Sequence, residues 1–210
     1  MSNINRFYAF KRFERFWHWT QAALILLMIF TGFEIHGTYR VLGFEKAIDL
    51  HTTAAWALMV LWLFVIFWHI TTGEWKHYKP TTKNFIAMIY YYGFGIFSGS
   101  AHPFHASEKE KHNPLQRLTY LMLGVGLMPA IWLTGLLVLF YNIWPEFGLE
   151  GLSFGWVAAI HTLLAYILLS FMTIHIYLIT TGPTMTSQLR AMITGWEEVE
   201  IEDEENKDRT

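Results

Sequence analysis

The sequence predicts an all-α integral membrane protein: a four-helix bundle with both termini in the cytoplasm and an interfacial helix in its cytoplasmic loop. Three observations carry this. Of 210 residues, 53% are apolar, 18% aromatic and only 15% charged, against roughly 25% charged in soluble domains. Four stretches long enough to cross a bilayer contain no Asp, Glu, Lys or Arg. The Lys and Arg residues fall very unequally on the two sides of those stretches.

The four uncharged intervals are Phe16 to Phe33, Leu50 to Gly73, Leu118 to Pro145 and Gly151 to Leu189. A hydrocarbon core of about 30 Å needs about 20 apolar helical residues, which places spans at about 16–35, 50–73, 117–141 and 154–181. The last interval is broken by Gly182-Pro183. Residues 1–15 form an N-terminal segment, 16–182 the membrane domain and 183–210 an acidic tail. A fifth uncharged stretch, Asn84 to Ser107, carries Gly93, Gly95, Gly99 and Pro103. These confine its apolar part to a length that suits an interfacial helix.

Orientation follows from the tendency of Lys and Arg to stay in the cytoplasm. Arg6, Lys11, Arg12 and Arg15 precede the first span; Lys76, Lys79, Lys83, Lys109, Lys111 and Arg117 lie between spans two and three; Arg190, Lys207 and Arg209 follow span four. The opposite side holds Arg40 and Lys46. The expected location is the bacterial cytoplasmic (inner) membrane, multi-pass. No small-residue cleavage site follows the first apolar run, so the spans themselves are expected to drive insertion. The formal charge of −2 conceals two regions. Eight of the seventeen acids crowd into Glu197 to Asp208, leaving the first 196 residues with 13 basic and 9 acidic side chains. That tail reads as a solvated, disordered end.

Cysteine is absent, which excludes disulfides, thiolate metal sites, Cys-ligated iron–sulfur clusters, covalent haem attachment and cysteine nucleophiles. Metal chemistry would fall to histidine or carboxylate. Ten histidines are present, and His18, His51, His69, His161 and His175 lie in or at the ends of spans, where an ionisable group is costly and usually functional. His161 and His175 are fourteen residues apart, which returns the helix to nearly the same face after a rise of roughly 21 Å. One ring then lies towards each membrane surface. His51 enters span two from the outer side and pairs naturally with His161. His18 opens span one from the inner side, where either His175 or His69 can face it, since His69 lies five whole turns after His51. Facing imidazole pairs without thiolate or carboxylate companions suit bis-histidine haem better than zinc or a di-iron centre.

An internal repeat accompanies this. Thr31-Gly32, His51-Thr52 and Thr71-Thr72-Gly73 recur as Thr134-Gly135, His161-Thr162 and Thr180-Thr181-Gly182, as two helical hairpins of common design would. Gly32, Gly124, Gly126 and Gly135 would let a flat macrocycle, or simply another helix, approach closely. Arg15 is placed either to neutralise a haem propionate or to serve as a basic flank.

At these residues the chain resembles the four-helix di-haem cytochrome b family that includes bacterial cytochrome b561, Ni,Fe-hydrogenase cytochrome b subunits, formate dehydrogenase gamma subunits and thiosulfate reductase cytochrome b. The resemblance rests on Arg15-Phe16-Trp17-His18-Trp19, His51, the stretch His112-Asn113-Pro114-Leu115-Gln116-Arg117 and the His161/His175 pair. His112-Asn113-Pro114 and Met192-Ile193-Thr194-Gly195 point to the thiosulfate reductase-like branch. The resemblance implies two b-type haems, with His18/His175 as the inner and His51/His161 as the outer axial pair. It also implies a quinone site near the inner haem, with His112 exchanging the accompanying proton.

The expected function is a cytochrome b subunit of a quinone-linked oxidoreductase complex. It would pass electrons between a periplasmic redox enzyme subunit or multihaem cytochrome and menaquinone or ubiquinone, with no catalytic centre of its own beyond quinone chemistry. Its other expected partner is the lipid bilayer; a homo-oligomer is allowed, and nothing points to nucleic acid. Two other classes stay open: a proton or solute transport subunit using intramembrane histidines without haem, and a haem-free anchoring subunit. Against transport, the uncharged intervals hold no carboxylate and no broken helix pair.

Overall fold

The computed structural model describes residues 3–100, 103–104, 110–182 and 184–201. Lys109, Pro183 and the distal tail from Glu202 onward, all used in the sequence reading, lie outside the described residues. Four helices are long and apolar enough to cross a membrane: α1 (Arg12–Ile35), α2 (Phe44–Thr72), α4 (Pro114–Leu139) and α5 (Phe154–Leu178). Two short helices accompany them, α3 (Phe85–Gly93) and α6 (Ser187–Thr194). The fold is an all-α membrane helical bundle. Large apolar side chains such as Leu63, Phe64, Phe67, Trp156 and Leu163 are exposed on the long helices, a surface that only lipid can cover favourably.

Helices α1, α2 and α4 start earlier than an uncharged window predicts, because their first turns include charged residues. At α1, Glu14 accepts a hydrogen bond from the Lys11 backbone N–H at 2.6 Å, half of a capping box. At α2, Glu34 reaches back from the end of α1. Its Oε1 accepts from the N–H groups of Val41, Leu42 and Gly43 at 2.9, 2.7 and 2.7 Å. One carboxylate thus satisfies three backbone donors of the loop that leads into α2. Within α4, Met122–Leu127 widens into π geometry. Pro129 explains this, since it gives the Val125 carbonyl no N–H and its ring crowds that carbonyl, while Gly124 and Gly126 ease the distortion.

Two strands, β1 (Asn3–Tyr8) and β2 (Trp196–Ile201), pair antiparallel from Asn3↔Ile201 to Tyr8↔Trp196. This corrects the expectation of a disordered tail beginning at Glu197: that stretch is ordered at least to Ile201. Val199 and Ile201 alternate with acids, a period of two that a strand can use. Tyr8 and Trp196 lock the closed end edge-to-face at 5.4 Å. Gly195 caps α6 at φ 90°, and a Cβ there would fall 2.7 Å from the Phe10 carbonyl oxygen, so only glycine fits.

The chain divides into two compact units. One is drawn from Met1–Thr20, Val65–Thr119 and His175–Thr210, the other from Gln21–Phe64 and Tyr120–Ile174. The long helices run through both.

Candidate functional site

In the second unit, His51 and His161 face each other with ring centroids 6.5 Å apart and planes at 73°. Each ring is held by the repeat noted in the sequence. Thr31 Oγ1 lies 2.9 Å from His51 Nδ1 and also 2.9 Å from the Leu27 carbonyl oxygen. The hydroxyl hydrogen must go to the carbonyl, which can only accept, so the Thr31 oxygen accepts from His51 Nδ1–H. Thr134 repeats this with His161 Nδ1 at 3.1 Å and the Ala130 carbonyl at 2.9 Å, and the Ile131 carbonyl also accepts from His161 Nδ1 at 3.1 Å. Both rings therefore carry their proton on Nδ1 and keep a lone pair on Nε2, the state an imidazole needs to bind metal.

The glycines beside those threonines sit against the same rings. A Cβ on Gly32 would lie 3.6 Å from His51 Cε1, and one on Gly135 only 3.0 Å from His161 Cε1. Gly124 instead meets the Trp62 indole, and a Cβ on Gly126 would meet nothing within 4 Å. The four glycines thus separate into two that neighbour the histidine pair and two that do not. His36 is outside the pair; its Nε2 donates to Thr162 Oγ1 at 3.3 Å, while that hydroxyl donates to Ala158.

In the first unit, His18 and His175 face each other at 6.2 Å with planes at 61°. Of the two candidates opposite His18, the ring that meets it is therefore His175. His69 turns elsewhere: its Nδ1–H donates to the Val65 carbonyl at 2.8 Å, and its ring touches Trp17, Trp68 and Tyr78. Arg15 donates through Nη1 to the Ile193 carbonyl, while its buried Nε has no hydrogen-bond partner among the described residues. The Trp17 indole N–H is also buried without one. These two donors, three residues and one residue before His18 in sequence, are of the kind that the propionates of a haem would accept from.

His112 is buried, and Arg117 Nε donates to its carbonyl at 2.9 Å. Its ring lies 5.1 Å from that of Tyr78. Burial, then the nearby charges of Lys111, His77 and Arg117, push its pKa down to about 3, so it rests neutral. Beside it is a cluster that sequence reasoning did not single out. The buried ammonium of Lys111 sits between Glu14 and Glu74 at 3.5 and 3.2 Å, and Lys11 also pairs with Glu74. Burial alone would raise the Glu74 pKa, but the hydrogen bonds and charges of Lys11 and Lys111 outweigh it and hold the carboxyl below its ordinary range. Residues so far apart in sequence give no local signal of such a cluster.

The pairs can be tested against haem. An imidazole nitrogen binds a first-row metal at about 2 Å and its ring centre lies about 1 Å behind it, so imidazoles on opposite sides of one ion have centroids about 6 Å apart. Both observed pairs come close to this. Among the described residues no group of three or more His, Cys, Asp or Glu could hold a metal. Paired imidazoles suit an ion whose other ligands come from a macrocycle.

The model of the prokaryotic cytochrome b561 family matches residues 9–195. The chain belongs to that family. This cytochrome b is therefore a multi-pass membrane protein that binds b-type haem and serves electron transport. It is also 29% identical over 198 residues to a protein of Escherichia coli (strain K12) named "Putative cytochrome YdhU", covering 91% of this chain and 74% of that one. No solved structure matches.

Proposed function

We propose that this cytochrome b561 carries two bis-histidine haems and passes electrons between the quinone pool and a periplasmic redox enzyme subunit or multihaem cytochrome. The observation that carries the reading is the pair of facing imidazole couples, 6.2 and 6.5 Å apart, with one member of each on the continuous helix α5. His18 and His175 would hold the iron of the inner haem, and His51 and His161 that of the outer. Haem held there would supply a one-electron couple.

The remaining steps belong to the chain. Thr31 and Thr134 hold the ligand tautomers and raise imidazole basicity. Gly32 and Gly135 keep the ring edges clear. Arg15 and the Trp17 N–H bind propionate oxygens. His112 exchanges the quinone-coupled proton on the cytoplasmic side. The basic residues flanking the spans orient both termini to the cytoplasm of the inner membrane, and α3 lies in the interface. A partner docked on the outer face takes or delivers the electrons.

The test is to mix the oxidised purified protein with a naphthoquinol and a benzoquinol and follow the haem absorbance. Reduction of both haems by at least one quinol is the expected result. Full reduction by dithionite without reaction with either quinol would refute the quinone link, and a protein with no haem absorbance after haem supplementation would refute the whole reading.

A further inference from the structure

Three rings form a row on the first unit. His69 and Tyr78 have centroids 5.1 Å apart, and so do Tyr78 and His112. His69 belongs to α2, near the end of a membrane-crossing helix, whereas Tyr78 closes the turn after it and His112 precedes α4. The row therefore leads from a span towards the charged cluster of Lys111, Glu14, Glu74, Lys11 and His77.

His69 is held in one tautomer. Its Nδ1–H is bound to the Val65 carbonyl, so the free lone pair is on Nε2, the same tautomer that His51 and His161 adopt. Those two rings face another imidazole; His69 instead sits among Trp17, Trp68 and Tyr78, a surround of flat apolar faces with one phenol. An imidazole acceptor amid aromatic faces fits a flat, hydroxyl-bearing ring dissolved in lipid better than it fits a metal.

We infer that His69 meets the quinone head and accepts the quinol proton on Nε2, with Tyr78 and His112 carrying it towards the cytoplasm. This rests on the reading of quinone as the redox substrate. In the oxidising direction a quinol O–H bond breaks, the proton passes to His69 Nε2, and an electron reduces one ferric haem. The second proton and electron follow in the same way, giving quinone, two ferrous haems and two protons delivered through His112. Reduction of quinone is the reverse. The charged and titratable groups facing the row are Tyr78 itself, His77, Glu74, Lys111 and Arg117.

The experiment compares His69→Gln with wild type in nanodiscs. Glutamine keeps a hydrogen-bonding side chain but cannot take up a proton. Three readouts are made: haem content, the rate of haem reduction by menadiol against that by dithionite, and menadione binding followed by quenching of tryptophan fluorescence. The inference predicts unchanged haem content and dithionite reduction, menadiol-driven reduction at least tenfold slower, and menadione binding weakened severalfold. Wild-type rate and binding in His69→Gln would overturn it, as would loss of a haem, which would make His69 an iron-site residue. Wild-type protein that binds no menadione and is reduced by no quinol would instead overturn the quinone reading from which the inference starts. Tyr78→Phe supplies a second arm: it should slow menadiol-driven reduction while leaving menadione binding intact, and an unaltered rate would remove Tyr78 from the path.

Discussion

Thr31 accepts a hydrogen bond from His51 Nδ1 at 2.9 Å, and the direction of that bond is dictated by the Leu27 carbonyl on the other side of the hydroxyl. Thr134 does the same for His161. The His51/His161 pair thus receives its tautomer from two threonines in equivalent places of the sequence repeat.

Replacing either threonine with valine keeps the shape and removes the acceptor. Loss of such a second partner typically weakens a metal site by about 10- to 100-fold. Thr31→Val should lower outer-haem occupancy, while Thr31→Ser should restore it. Haem quantitation with a redox titration resolves the two centres; full outer-haem occupancy and an unaltered potential in Thr31→Val would contradict the role assigned to the hydroxyl.

The glycines should differ in tolerance. At Gly135 an added methyl would press on His161 Cε1 at 3.0 Å, whereas at Gly32 it would rest at an ordinary 3.6 Å from His51. Gly135→Ala should tilt the ligand ring and reduce outer-haem affinity by roughly tenfold, and Gly32→Ala should be the milder change. Low-temperature electron paramagnetic resonance of the ferric haems reports the ring tilt; equal signals in both variants would count against this placement.

Much of this architecture was legible in the sequence. Uncharged length is enough to reveal a membrane helix, because burying a charge in lipid is so costly, and the histidine positions could be read from helical periodicity. The Thr-Gly repeat was visible too, although nothing local told which ring each threonine would hold. Three features were not legible. Glu34 looks like a charge at a span's end until the folded loop brings three N–H groups to it. Lys111 becomes the buried counter-ion of Glu14 and Glu74 only through contacts 97 and 37 residues away in sequence. The acidic composition after Trp196 argued for disorder, yet pairing with Asn3–Tyr8 orders its first part.

Lys111 should be structurally costly to remove. Its ammonium is nearly inaccessible and sits between two buried carboxylates, so Lys111→Met leaves Glu14 without its ammonium and Glu74 with Lys11 alone, a change worth up to about 3 kcal/mol. A clear fall in Tm of the detergent-solubilised protein is expected, partly recovered in the triple variant with Glu14→Gln and Glu74→Gln. A Tm equal to wild type for Lys111→Met alone would show that the cluster contributes little.

The terminal sheet should respond to pH through Glu197. Burial raises its pKa from 4.5 to about 7, so the folded strand favours the protonated acid. Below about 4.5 the acid is neutral whether or not the strands pair, and nothing is lost; as pH rises towards 7 the unpaired chain ionises first. Strand pairing should therefore weaken across that window and level off above it. Hydrogen exchange in the β1 and β2 backbone tests this against Glu197→Gln, which should flatten the response; pairing that strengthens with pH would refute it.

The central claim is that His18/His175 and His51/His161 each hold one b-type haem. Pyridine haemochrome quantitation per chain, on wild type and on alanine variants of these four histidines and His69, tests it most directly. The account predicts two haems in wild type and in His69→Ala, and one haem in each of the four ligand variants. A single haem in wild type, or loss of a haem in His69→Ala with His175→Ala unaffected, would contradict it.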